Sequence, residues 1–329
     1  MVLTKKRVII ITFFLTIAYF IPLLFLPESI IGARGDNLLL FAPRILFLAG
    51  TAAVVTMIIL VIIFKRDFIS WQAFAFNRYK HYLWLLVKRD FITRYRKSIL
   101  GVLWSVLNPI LMMLILVFIF STLFEGMAGA IANFPVYVIS GRVIFDFFSE
   151  STTISMGSIV ANEGVIKKIY IPKYIFPLSK MLSSLVNMGF MVIAFLIVFV
   201  VTGAEFQWTM LLMPLPLLYL FVFSLGVAMF MSSMTVFFRD LTHLYGVLLM
   251  LWMFMTPIFY PIDIIPDHLL PIYGLNPLLH FLNLFRAMTM EGSAMGLWAH
   301  MVCIGNALAA LCVGTYVFMR QQDRYILNM

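Results

Sequence analysis

The feature that most constrains this chain is a series of apolar runs, such as Leu38 to Phe64, each reaching the length a helix needs to cross a bilayer. A hydrocarbon core of about 30 Å takes roughly 20 residues at 1.5 Å per residue. None of the runs shows the ten-residue alternation of a barrel strand. With 63% hydrophobic and 11% charged residues among 329, a water-soluble domain of this size has no way to hide its apolar surface. The expected fold is an all-α polytopic membrane bundle.

Eight spans are expected, with both termini on the cytoplasmic side. After Lys5, Lys6 and Arg7, the run Val8 to Leu26 ends at Pro27 and reads as a secretory signal or a first span. The span is favoured, because no small-x-small cleavage site follows and the run Leu38 to Phe64 returns to Lys65 and Arg66. Residues 1–70 thus form an N-terminal hairpin. Residues 71–98 are too polar to cross and mix aromatics with charges, as an interfacial helix does. At its end Arg89, Asp90, Thr93, Arg94, Arg96 and Lys97 share one arc of a helical wheel, opposite Phe91, Ile92 and Tyr95. Residues 99–329 hold six further spans: Ile99 to Phe124, Pro135 to Val160, Pro177 to Thr202, Met210 to Phe237, Tyr245 to Tyr260 and Ala294 to Met319. Between them, residues 261–292 carry Pro261, Pro266, Pro271 and Pro277 and read as short helices re-entering from the outer face.

A net charge of +9 in a soluble protein would suggest nucleic acid, but here the basic residues sit beside apolar spans, where they set orientation. The layout puts all of the 23 lysines and arginines except Arg34, Arg44, Arg142 and Arg286 in cytoplasmic segments. Half of the fourteen acids fall outside. Cys303 and Cys312, nine residues apart on one helix, face opposite ways and carry no redox message.

The chain has no GxxxxGK[ST] phosphate cradle, so ATP work falls to a partner. The five histidines lack metal-binding spacing, and no metal is expected. On the cytoplasmic side, residues 162–176 contain Glu163, Ile166, Lys167, Lys168, Tyr170, Pro172 and Lys173. This segment is either a positive-inside loop or, given its apolar ridge, a docking surface for a soluble protein. Arg142, Asp146 and Glu150 recur every four residues on one helix face, roughly 10 to 22 Å below its outer end. Charge at that depth implies an internal pair, a solvated path, or both. Aromatics make up 16% of the chain, and Phe145, Phe148, Trp252 and Tyr260 are candidates to offer flat faces to sugar rings.

Four stretches in this order and spacing carry a resemblance: RYRKSILGVLWSVLNPILMMLILVFIFSTLF, EGVIKKIYIPKYIFPLSK, VFFRDLTHLYGVLLMLWMFMTPIFYPI and LNPLLHFLNLFRAM. From about Trp71 to Met329 the chain resembles the type-2 ATP-binding-cassette permeases that export O-antigen, capsule and teichoic-acid polysaccharides. The resemblance implies a homodimer bound to two copies of a separate ATPase, which holds ATP and Mg, and export of a lipid-linked glycan across the bacterial cytoplasmic membrane. It implies that residues 71–98 form a cytoplasmic gate, with Arg89, Arg94, Tyr95, Arg96 and Lys97 near an anionic headgroup. It further implies that Glu163 to Lys173 couple to the ATPase, and that 261–292 are periplasmic gate helices. The chain departs from the family in its extra N-terminal hairpin, which either lines the dimer's periphery or recruits a periplasmic or synthesis partner, and in reading GRVIFDFF where an uncharged, Trp-containing stretch is usual. Rival readings are the same machinery with a drug or lipid cargo, a membrane glycan-processing enzyme, and a proton-coupled carrier, for which the Arg142, Asp146 and Glu150 stack would be the argument.

Overall fold

A computed structural model describes residues 66–95, 100–123, 133–169 and 171–325. The expected spans Val8 to Leu26 and Leu38 to Phe64 lie outside the described residues. Within them the chain is helical, with no strand. The order is α1 (Arg66–Tyr95), α2 (Trp104–Leu123), α3 (Phe134–Met156), α4 (Glu163–Ile166), α5 (Ile175–Val201), α6 (Pro214–Phe237), α7 (Leu241–Met255), α8 (Leu270–Gly274), α9 (Pro277–Thr289) and α10 (Leu297–Gln321). Short 3-10 turns join several of them.

Among the described residues, four helical segments are long and apolar enough to cross a membrane: Gly101–Ile119, Ile175–Val201, Trp208–Phe237 and Leu297–Arg324. The central helix α3 is also long, at 23 residues, but it carries Arg142, Asp146 and Glu150. It packs against α2, α5, α6, α7 and α9, so its charges lie inside the bundle. Asn133 starts it by accepting a hydrogen bond from the Val136 amide at 3.2 Å, and Pro135 needs no partner in the first turn. Asn276 and Pro277 start α9 in the same way, with Asn276 accepting from the Leu278 amide at 3.1 Å.

Two expected elements differ in extent. The interfacial helix begins at Arg66 instead of Trp71 and runs for 30 residues, about 45 Å. The span drawn from Tyr245 to Tyr260 is instead the 15-residue helix α7, which ends at Met255. The reason is Pro257, whose ring excludes the helical conformation from Thr256, now extended at ψ 129°. The proline-rich segment after it folds as expected into short helices, of which α9 is amphipathic and buries Leu278, Phe281, Leu282 and Phe285.

The tightest crossing is that of α6 over α10. A Cβ at Gly314 would stand 1.8 Å from the Gly226 carbonyl oxygen, and one at Gly226 would stand 2.2 Å from the Ala310 carbonyl carbon. Glycine at both positions lets the two backbones touch, the way membrane helices gain packing where no hydrophobic drive separates them from lipid. A second device is Arg286 on α9, 6% exposed. Its guanidinium donates to the carbonyls of Pro257 at 2.8 Å, Tyr137 at 3.1 Å and Ile258 at 3.2 Å, and to the Ser140 hydroxyl at 3.1 Å. It also lies 3.4 Å from the centre of the Tyr137 ring. Arg286 therefore ties α9, the start of α3 and the break after α7 into one unit.

Candidate functional site

The end of α1, the start of α2, the middle of α3 and α5 surround a cavity of about 660 Å³. Its wall contains Arg94, Trp104, Asn108, Arg142, Asp146 and Glu150, with Tyr95, Ser105, Ser149 and Asn187 completing the polar lining. A smaller cavity of about 330 Å³ lies beside Arg94, lined by Asp90, Thr93, Lys180 and Asn187 among others.

Two ion pairs organise the larger cavity. Arg142 Nη2 lies 2.9 Å from Asp146 Oδ2, one helical turn along α3. Glu150 does not extend that pair; its Oε1 accepts from Arg94 Nη1 at 2.6 Å and its Oε2 from Asn187 Nδ2 at 2.6 Å. The Tyr95 hydroxyl bonds Ser105 and donates to Asn187 Oδ1 at 3.1 Å. Burial, the largest influence, would lower the Arg94 pKa, but the Glu150 carboxylate and, less strongly, Tyr95 together outweigh it and hold the guanidinium above its ordinary range. A second bridge, Lys180 Nζ to Asp90 Oδ2 at 2.7 Å, joins α1 to α5, and Asp90 Oδ1 also pairs with Arg89 at 3.1 Å. The end of α1 is thus latched to the bundle by charge, while Leu83, Leu86 and Val87 bury its apolar face.

The structure therefore merges two groups the sequence kept apart, since Arg94 and Tyr95 meet Arg142, Asp146 and Glu150 around one space. Arg96 and Lys97 lie outside the described residues. The aromatic candidates are elsewhere. Phe145 and Phe148 are core residues, with Phe148 edge-on to Trp252 at 5.1 Å. Trp252 donates to Asn276 Oδ1 at 2.8 Å, and the Tyr260 hydroxyl donates to the Phe254 carbonyl at 2.6 Å. None of these four lines the cavity. Sequence reasoning missed Trp104, Ser105, Asn108, Ser149 and Asn187. The two asparagines had left a signal, as amides inside the apolar runs WSVLNPIL and SSLVNMGF.

The other candidate set divides into an outer and an inner part. Glu163, at the start of α4, pairs with Lys167, just past its end, at 2.5 Å, and Lys168 and Ile169 stand exposed, Ile169 by 58%. Ile166 points inward, into an apolar cluster with Leu83, Leu86, Phe176 and Tyr325. Pro172 is half-buried and Tyr170 is outside the described residues. Lys173 turns toward the C-terminal end, donating to the Gln322 carbonyl at 2.5 Å beside the Tyr325 ring. Burial lowers its pKa against the opposing charge of Asp323. Among the described residues, no three His, Cys, Asp or Glu side chains gather as metal ligands.

Residues 81–290, a stretch covering the end of α1 through α9, match the family model described as ABC-2 type transporter. The chain belongs to the ABC-2 type transporter family. An O-antigen export system permease protein RfbA of Klebsiella pneumoniae is 33% identical over 64% of this chain and 80% of that protein. One from Myxococcus xanthus is 31% identical over 65% and 82%. The polysialic acid transport protein KpsM of Escherichia coli is 28% identical over 63% and 80%. As an ABC-2 permease the chain is a multi-pass membrane transport subunit, not an enzyme, and it works with a separate ABC ATPase. The exposed Lys168 and Ile169 lie within the matched region of this permease.

Proposed function

We propose that this permease moves a lipid-linked polysaccharide outward across the bacterial inner membrane, driven by ATP that the partner subunit binds with Mg. The observation that carries the cargo is the identity to O-antigen export permeases across about two thirds of the chain. The working unit is a homodimer with two ATPase copies. Each permease crosses eight times with both termini cytoplasmic, and residues 261–292 re-enter from the outer face.

Exposed Lys168 and Ile169, next to the Glu163 and Lys167 pair, fit a surface that receives the ATPase. Ile166 is buried against α1 and Lys173 is bonded to the C-terminal end, so a push on this element would reach both. At the membrane surface, Arg89 attracts the phosphates of the lipid anchor. The hairpin ahead of α1 serves a periplasmic or synthesis partner.

Cells producing the glycan test this reading. Deletion of the permease or of its ATPase should leave glycan inside the cell, and in a strain lacking both, either gene restored alone should not export it. Export by the permease without the ATPase would refute the proposal.

A further inference from the structure

The cavity between α1, α2, α3 and α5 is lined by two arginines and two carboxylates, each arginine already paired with a carboxylate. Among the described residues that line it, the fixed charges cancel. A phosphate or carboxylate entering it would meet Asp146 and Glu150, and a cation would meet Arg94 and Arg142, with a like-charge penalty in either case. A hydroxyl group meets no such penalty, because it donates to a carboxylate and accepts from a guanidinium or amide.

The lining also offers what a polyhydroxy ligand needs. Asp146 pairs with Arg142 through Oδ2, which leaves Oδ1 able to accept, and Arg142 Nε is a buried donor that has no hydrogen-bond partner among the described residues. Asn108, Ser105 and Ser149 add groups able both to donate and to accept. Trp104 lines the same space and is 45% exposed, presenting a flat apolar face on which the C–H face of a sugar ring can rest. At about 660 Å³ the cavity falls within the roughly 300–1,000 Å³ of small-molecule sites.

We propose that this cavity is a subsite for an uncharged sugar residue of the passing glycan, held by Asp146, Arg142 and Asn108 and stacked on Trp104. The inference rests on the glycan-export reading and adds selection for a neutral sugar over an acidic one. The anionic anchor stays at the membrane surface near Arg89, and the cavity reads the sugars that follow it.

The test uses the permease–ATPase complex in proteoliposomes and two probes: a polyprenyl-diphosphate-linked tetrasaccharide of neutral hexoses, and the same molecule with hexuronates at alternate positions. The wild type should transport the neutral probe at least about tenfold faster. Asp146→Asn leaves Arg142 unbalanced and should shift the ratio toward the acidic probe by about tenfold, whereas Arg142→Gln should shift it the other way. Should either variant fail to assemble with the ATPase, Trp104→Leu, a change on the exposed wall, should cut neutral-probe transport by about fivefold or more. Wild-type preference for the acidic probe would overturn the subsite, as would ratios unmoved by both charge variants or, where those do not assemble, transport unmoved by Trp104→Leu. Transport of neither probe by the wild type would count against the export reading itself.

Discussion

Removing the Glu150 carboxylate should loosen the end of α1 by an amount the geometry sets. Glu150 joins Arg94 at 2.6 Å and Asn187 at 2.6 Å, with the Arg94 and Glu150 side chains 36% and 21% exposed. A fully exposed pair is worth about 0.2–1 kcal/mol, and a protected charge-assisted bond about 1.5–3 kcal/mol. For this half-covered pair an intermediate 1–2 kcal/mol is expected, roughly a 5- to 30-fold rise in the open population. Hydrogen exchange of amides 88–95 in Glu150→Ala, measured in nanodiscs, should accelerate by that factor. The segment near Leu83 should hold, because Lys180 still bridges Asp90 and Leu83, Leu86 and Val87 remain packed. Arg94→Ala should act alike, and the double variant should be much less than additive. Exchange unchanged in both single variants, or a fully additive double variant, would refute the latch.

Three further outcomes follow from the packing. Gly314→Ala should cost at least about 3 kcal/mol, read as a lower melting temperature in detergent, because its Cβ would stand 1.8 Å from the Gly226 oxygen. Arg286→Met should destabilise by about 3 kcal/mol or more, by stripping donors from the Pro257, Ile258 and Tyr137 carbonyls; Arg286→Lys, which lacks the fork, should recover only part in the same melting assay. Ile169→Asp with Lys168→Glu should lower ATPase co-purification by about tenfold at unchanged permease abundance, since both side chains are exposed.

Much of the helical layout was legible because the bilayer fixes a length and a composition that few other environments would allow. The stop of α7 was legible too, in Pro257, although apolar continuity through Phe259 and Tyr260 masked it. The cavity was only half legible. The Arg142 to Asp146 pair follows from helical spacing, but Arg94 lies 56 residues from Glu150, and only the fold of α1 against the bundle brings them together. Arg286 stood out as a cation with no cytoplasmic place. Three of its four partners are backbone carbonyls, which leave no trace in side-chain identity. The aromatic candidates could not be sorted from sequence, because a Phe that fills a core and a Phe that faces a passage have the same apolar neighbours in the chain.

The central claim is ATP-driven glycan export by this permease, and reconstitution tests it most directly. Proteoliposomes holding the permease and its ATPase, loaded with a radiolabelled lipid-linked glycan on the ATPase side, should deliver label to the opposite side only with ATP and Mg present. Delivery without the ATPase, or ATP hydrolysis by the intact complex with no movement of glycan, would contradict the account.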